Sequence, residues 1–277
     1  MEKETKHSIV IKSNSLIDAV YKMPVNSAHL FSIMLRHIIA NNIITDNGQL
    51  HTITAAEYGT LLGIDKKNQY RELKIATKFL LSAIIKVPLT KDRYREYSIF
   101  DTAEYAIGHG YTSLAFSRNF LPFIQNLQGD YTRLKLAETL RLKKFASIRI
   151  YEKLMQYRQA DDSGWWRVEM DELKKFLNIE REHIYWSNNH FRIKVFNPAI
   201  KEITKQLEWD IKVKNIKAGR TIKELEISFK DVNKGGLFSK DNMAKGNKQT
   251  RLNQANRDAD LRAKIAQLSH HKKIGTK

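Results

Sequence analysis

The sequence has 277 residues, of which 42% are hydrophobic and 10% aromatic, as is typical of a folded protein. Its 48 Lys and Arg residues outnumber 30 Asp and Glu residues, and the net charge of +18 favours a polyanionic partner such as nucleic acid. The absence of cysteine excludes disulfides, thiolate metal sites and a cysteine nucleophile. The sequence contains neither an apolar run approaching the roughly 20 residues of a spanning helix nor a secretory signal, so we expect a cytoplasmic protein without membrane contact.

The first predicted elements are three helices, with a short strand between the first and the second, and further strands follow the third helix. An amphipathic helix is expected over residues 26–42, and a short strand follows near residues 50–53. A short second helix then ends at Gly63, a residue suited to a left-handed C-cap. The third helix is predicted for KKNQYRELKIATKFLLS, residues 66–82. Three strands are expected after it, over residues 83–90, 94–100 and 111–117.

The third helix carries cations on one face. Lys67, Arg71, Lys74 and Lys78 follow one another at spacings of four, three and four, which places them on one side of a helix with no acid among them. The opposite face is apolar and consists of Leu73, Ala76 and Leu80. A face that only contacts water usually mixes signs, because like charges at these spacings repel. A solvated basic face and a nucleic-acid contact are therefore the two interpretations.

The same arrangement recurs 115 residues later. Residues 53–64 align with residues 168–179, and Gly63 aligns with Asn178, which also tolerates a left-handed cap. A long helix from about Thr132 to Arg158 is expected before this second unit. A strand at 165–170, a long helix at 187–207 and a hairpin at 209–230 complete the unit. Agreement of element order, cap position and register indicates a duplication.

Helix, strand, helix, helix and hairpin is the element order of a winged helix. The third helix of that fold enters the DNA major groove, while the hairpin, or wing, lies along the backbone. We therefore predict an α+β fold with two tandem winged-helix domains, over residues 8–130 and 131–232. The basic segment at 233–277 is predicted to be a disordered tail with a short helix near 257–268. This tail would either contact phosphates or remain solvated.

Both predicted third helices and the second hairpin supply candidate DNA contacts. In the second unit, Arg192 falls among the apolar residues of an ideal helical wheel, and Pro198 is expected to bend or break the helix. The basic hairpin would add phosphate contacts that carry no sequence information. The predicted DNA-binding residues are Lys66, Lys67, Asn68, Arg71, Lys74, Lys78, Ser187, Asn188, Asn189, His190, Arg192, Lys194, Lys201, Lys214, Lys217 and Arg220.

Six segments carry a family resemblance when taken in order: SNSLIDAVYKMPVNSAHLFSIML, YRELKIATKFLLSAIIKV, FASIRIYEKLMQY, MDELKKFLNI, FRIKVFNPAIKEI and KAGRTIKELEISFK. Together, over roughly residues 8–231, the chain resembles the replication initiator proteins of iteron-containing bacterial plasmids, although Thr204 stands where Asn would be expected. The resemblance implies a monomer that binds directly repeated origin sites. It also implies a dimer, formed largely through the first domain, that binds an inverted repeat and represses its own gene. Opening of an AT-rich segment and contact with host replication proteins such as the replicative helicase would follow.

The sequence predicts no enzyme, no cofactor and no metal site. An initiator that nicks DNA would need a paired-histidine metal site, but there is no His-hydrophobic-His motif, and His270 and His271 fall in the polar tail. No phosphate-binding GxxxxGK[ST] motif occurs. The GHG at 108–110 is predicted to be a turn between strands, and Asp161 and Asp162 lie in a loop-type ADDSG stretch.

Three functions remain open from the sequence alone: a plasmid replication initiator, a winged-helix transcriptional regulator, and a basic scaffold that contacts protein or RNA. The duplicated unit disfavours the scaffold, because RNA-binding modules use aromatic sheets or loops rather than a basic third helix. Direct repeats beside an AT-rich segment would indicate an initiator, whereas a single palindrome at a promoter would indicate a regulator.

Overall fold

The structure is a computed structural model that describes residues 9–40, 48–90, 92–125, 127 and 129–232. The predicted tail at 233–277 lies outside these residues. The α-helices in the described part are α1 (Asn14–Asp18), α2 (Val25–Ala40), α3 (Ala55–Leu62), α4 (Gln69–Leu81), α5 (Leu136–Arg141), α6 (Phe145–Gln156), α7 (Met170–Phe176), α8 (Asn188–Phe191) and α9 (Asn197–Leu207). The strands there are β1 (Ile9–Ser13), β2 (Leu50–Thr54), β3 (Ile84–Thr90), β4 (Arg93–Ser98), β5 (Phe100–Ala106), β6 (Tyr111–Phe116), β7 (Tyr131–Lys135), β8 (Ser163–Glu169), β9 (Trp209–Ala218) and β10 (Thr221–Asp231).

Two three-stranded antiparallel sheets share one topology. Their strand orders are β2–β6–β5 and β8–β10–β9, so in each unit the first strand pairs with the last strand of a hairpin. The second helix of each unit ends in a left-handed residue, Gly63 with φ +68° and Asn178 with φ +53°. The prediction of two tandem winged helices is confirmed. The hairpin β5–β6 is the first wing, and β9–β10 is the second wing.

The first unit contains a ribbon that the second lacks. Strands β3 and β4 pair only with each other in the described sheets, and they lie in the chain between α4 and the first wing. The sequence pattern predicted strands near β3, β4 and β6 but missed β5. Most β5 side chains are exposed or half-buried, so this strand lacks the alternation of buried residues that identifies a strand from sequence.

The predicted helix from Thr132 to Arg158 is wrong. Its first residues form β7, which pairs antiparallel with β1 at the start of the chain, and its remainder forms α5 and α6 with an extended break between them. In β7 only Thr132 and Leu134 are buried, a period of two that fits a strand rather than a helix. Because this pairing crosses residue 130, the division of the chain there remains a proposal.

A cluster of buried charges lies where the N-terminal segment meets α6. Lys12 Nζ donates to Glu152 Oε1 at 2.6 Å, and Arg149 Nη1 donates to Glu152 Oε2 at 2.6 Å. All three side chains are at most 2% exposed. Burial alone would raise the pKa of Glu152, but Lys12 and Arg149 hold that pKa below its ordinary value. The Arg149 guanidinium also lies 4.5 Å from the centre of the Phe176 ring, so the cluster contacts α7 of the second unit.

The junction of the two units also contains a buried histidine. His29 on α2 donates from Nε2 to the carbonyl of Leu142 at 2.9 Å, just before α6. Burial lowers the pKa of His29 to about 4, despite this hydrogen bond. This hydrogen bond thus connects α2 of the first unit to the segment that leads into α6 of the second unit. Among the described residues, no helix is long and apolar enough to cross a membrane.

Candidate nucleic-acid interface

The third helix of the first unit begins later than predicted. Residues Lys66–Asn68 form a 3₁₀ turn, and α4 starts at Gln69, so Lys67 precedes the α-helix rather than lying on it. Gln69 packs against Gly59 on α3, where an added Cβ would lie 2.2 Å from the Gln69 side chain. Gln69 Nε2 also donates to the carbonyl of Ile64 at 3.1 Å. Gly59 therefore permits the close approach of α3 and α4 that sets the orientation of α4.

The cations of α4 lie on its outer side, as predicted, but they differ in environment. Arg71 and Lys78 are exposed, whereas Lys74 is half-buried with Nζ 5.8 Å from the centre of the Tyr105 ring on β5. Arg71 Nη2 donates to Glu72 Oε1 at 3.1 Å, so an acid from outside the cationic face pairs with this residue. Because the pair is exposed, it stabilises the fold little and leaves Arg71 able to change partner.

Two large apolar residues share this outer side. Ile75 is 44% exposed and Phe79 is 48% exposed, while Leu73, Ala76 and Leu80 on the opposite side are at most 1% exposed. Sequence reasoning missed both. The sequence does contain a signal for their exposure, because positions 75 and 79 fall outside the apolar stripe that Leu73, Ala76 and Leu80 define along the helix.

The third helix of the second unit is continuous from residue 188 to residue 207. Its parts are α8, a π-helical turn at Arg192–Phe196, and α9. Of the bend or break expected at Pro198, the break is wrong, because the helix continues through this residue, and the bend stays a prediction. Asn197 N–H bonds to the Arg192 carbonyl five residues back, and Pro198 lies in the first turn of α9, where a missing N–H is tolerated. We name this continuous element the α8–α9 helix.

The start of the α8–α9 helix is held by hydrogen bonds. Ser187 is the N-cap, and its Oγ accepts from the backbone N–H of His190. Asn188 Oδ1 accepts from buried Lys174 at 2.5 Å, and Asn188 Nδ2 donates to the Ile222 carbonyl at 3.2 Å. The β10 backbone is irregular at this point, next to Ile222. The Asn188 amide therefore joins the helix to α7 and to the second wing, and a DNA contact from it stays a prediction.

The remaining predicted residues of this helix differ in exposure. Asn189, His190, Lys194 and Lys201 are exposed, whereas Arg192 is half-buried. The buried Arg192 Nε has no hydrogen-bond partner among the described residues. On the opposite side the next buried residue after Phe191 is Phe196, five positions on, whereas Val195, four positions on, is half-buried. This shift is the expected consequence of the π-helical turn, which adds one residue per turn.

The two wings differ in charge. On the second wing Lys214, Lys217 and Arg220 are exposed, and the hairpin turns at Gly219, whose φ of +62° favours glycine. The first wing, residues 100–117, contains no Lys or Arg. It turns at residues 107–110 as predicted, and Ile107 at its tip is 81% exposed. In the described part of the chain, no three His, Asp or Glu side chains are grouped to hold a metal ion.

These elements define a tandem winged-helix protein with two exposed third helices. The chain belongs to a family of plasmid replication initiator proteins: the family described as "Initiator Replication protein, WH1" matches residues 9–155, and "Initiator Rep protein, WH2" matches residues 169–229. The family resemblance of the six segments is thereby confirmed.

Individual relatives agree with this assignment. The chain is 26% identical over 248 residues to the "PI protein" of Escherichia coli, covering 78% of this chain and 80% of that protein. It is 26% identical over 208 residues to a "Replication initiation protein" of Escherichia coli, covering 72% of this chain and 61% of that protein. The crystal structure of the Pi initiator protein in complex with iteron DNA matches with a TM-score of 0.69 at 23% identity. The match covers 83% of this chain and 99% of the Pi initiator chain.

Proposed function

We propose that this protein initiates plasmid replication by binding directly repeated origin sites through α4 and the α8–α9 helix. The observation that carries the proposal is the repetition of one winged-helix topology, each time with an exposed third helix that bears cations. Membership of the initiator family supports the proposal, and so does the fold shared with a protein whose structure contains iteron DNA.

The proposed contacts divide into two kinds. The exposed Lys and Arg residues of the second wing and of the 3₁₀ turn before α4 would bind phosphates and set the register of the protein. Arg71, Asn189 and His190 would donate to or accept from base edges in the major groove. Their side chains lie at or near the exposed start of each third helix, the part that meets bases in helix-turn-helix proteins.

Further parts of the proposal rest on the family resemblance. A dimer formed largely through the first domain would bind an inverted repeat and repress the gene of the protein itself. The monomer would help to open an AT-rich segment and would recruit the host replicative helicase. In this scheme the protein itself would neither cleave DNA nor need a cofactor. Initiation would take place on plasmid DNA in the bacterial cytoplasm.

The test is a footprint of the purified protein on the DNA that flanks its own gene, at two salt concentrations. Protection of several evenly spaced direct repeats, each about two helical turns long, is expected for two tandem winged helices, since one turn is about 10.5 base pairs. Protection of a single inverted repeat would instead indicate a transcriptional regulator. Salt-sensitive coating without preferred sites would contradict both functions.

A further inference from the structure

The exposed side of α4 is divided lengthwise into two halves. At about 100° per residue, Lys74, Lys78 and Arg71 occupy one half of this side, and Ile75 and Phe79 occupy the other. We call these the cationic half and the apolar half of α4. A helix that merely faces water rarely keeps two large apolar side chains together at an i, i+4 spacing, because burying them elsewhere would stabilise the fold.

The position of the first wing shows how the two halves are oriented. Tyr70 OH donates to the Ala106 carbonyl at 3.4 Å, and Lys74 Nζ lies 5.8 Å from the centre of the Tyr105 ring. The cationic half therefore borders the wing, and the apolar half lies on the side of α4 away from it. Because the first wing has no Lys or Arg, the cationic half supplies the positive charge for phosphates on that side.

When Lys74 and Lys78 of the cationic half contact phosphates, the apolar half and Arg71, which lies at its border, face the base edges. Among the groups that distinguish base pairs in the major groove, the 5-methyl of thymine is the apolar one, and the others are hydrogen-bond donors or acceptors. Ile75 and Phe79 can form no hydrogen bond from their side chains, so polar edges placed against them would lose water without gaining a partner. Thymine methyls are the complementary surface.

We infer that Ile75 and Phe79 determine specificity by contacting thymine 5-methyl groups in the major groove. The inference rests on the proposed function and adds the class of base pair that the first unit selects, an A·T pair whose methyl faces α4. The Arg71 and Lys78 charges beside the apolar half favour DNA over a second protein as the molecule that covers it, because a polyanion complements them.

The test replaces thymine by deoxyuridine, which removes the methyl and keeps the base pair. The probe is the DNA fragment that the footprint protects, first with every thymine replaced and then with one replaced at a time. Loss of a methyl that Ile75 or Phe79 covers should weaken binding about fourfold, the value expected for one buried carbon group. The effect should persist at high salt, because it involves no charge.

Variants assign the effect to the two residues. Ile75→Ala/Phe79→Ala should bind thymine DNA more weakly than the parent protein and should bind thymine and deoxyuridine DNA equally. The matched control, Lys78→Ala on the cationic half, should weaken binding to both DNAs by the same factor and should reduce the salt slope by about 1. Unchanged thermal midpoints would establish that the exposed substitutions leave the fold intact.

The inference would be overturned by equal binding of the parent to thymine and deoxyuridine DNA, or by a double variant that remains as sensitive to the methyl as the parent. Normal DNA binding by the double variant would overturn it too and would indicate that the apolar half meets a protein instead. The deoxyuridine comparison needs no variant, so a variant that failed to fold would still leave the inference testable. A parent protein without a preferred site would contradict the proposed function itself.

Discussion

The two winged helices share a topology but expose different side chains on their third helices and wings. In the first unit, α4 is a regular helix with a cationic and an apolar half, and its wing has no Lys or Arg. In the second unit, the α8–α9 helix contains a π-helical turn and exposes hydrogen-bonding side chains, and its wing is basic. If both third helices contact DNA as proposed, two unlike helices on one chain suit a site that has no internal symmetry.

The largest expected effect concerns the junction that joins the two units. Glu152→Ala leaves Lys12 and Arg149 buried without their anionic partner, and it should lower the free energy of unfolding by about 3–5 kcal/mol. Urea denaturation followed by circular dichroism measures this. The surface variant Glu172→Ala, which breaks an exposed pair with Lys175, is the control and should change stability by less than about 1 kcal/mol. A similar small change for Glu152→Ala would show that the junction does not depend on this cluster.

His29 at the same junction predicts that the stability of the fold depends on pH. The pKa of His29 is about 4 in the folded protein and near 6.5 in the unfolded chain, so between these values the unfolded state binds more protons. Stability is therefore greatest above pH 6.5 and should fall by about 2 kcal/mol between pH 7 and pH 5 through this group. Denaturation at a series of pH values gives the slope, and His29→Gln should flatten it. An identical slope in the variant would assign the dependence to other groups.

Substitutions on the two third helices should alter sequence preference in different parts of the DNA site. If Arg71 reads a base, Arg71→Ala should weaken specific binding by about 1–3 kcal/mol and relax one base preference in the part of the site that α4 contacts. His190→Ala should relax a preference in the other part, which the α8–α9 helix contacts. Binding selection with randomised half-sites reports both. Relaxation at the same position by both variants would contradict two separate reading surfaces, and unchanged binding of Arg71→Ala would remove that residue from the interface.

The wings should differ in salt dependence, which is the smallest expected effect. Lys217→Ala or Arg220→Ala should each lower the slope of log affinity against log salt by about 1 and leave sequence preference unchanged, because phosphate contacts carry no base information. His109→Ala at the tip of the first wing is the control and should leave the slope unchanged. A slope that Lys217→Ala and Arg220→Ala do not alter would mean that the second wing does not contact DNA.

The two units also show which structural features can be predicted from local sequence patterns. The left-handed caps at Gly63 and Asn178 and the buried stripe of α4 follow from residue type and periodicity, and the structure agrees. The failures have nonlocal causes. The pattern predicts helix at strand β7 because its partner β1 lies more than 100 residues away in the chain, and the π-helical turn before Pro198 keeps continuous a helix that the proline is expected to bend or break.

The sequence by itself determined the duplication, the winged-helix order of elements and the cationic side of α4, because each depends on spacing along a short stretch of chain. Only the tertiary structure decided which side chains are left outside the core. Burial depends on elements that pack from elsewhere, so the hydrogen bonds of Asn188 to Lys174 and Ile222 and the buried Lys12–Glu152–Arg149 cluster became visible only in three dimensions.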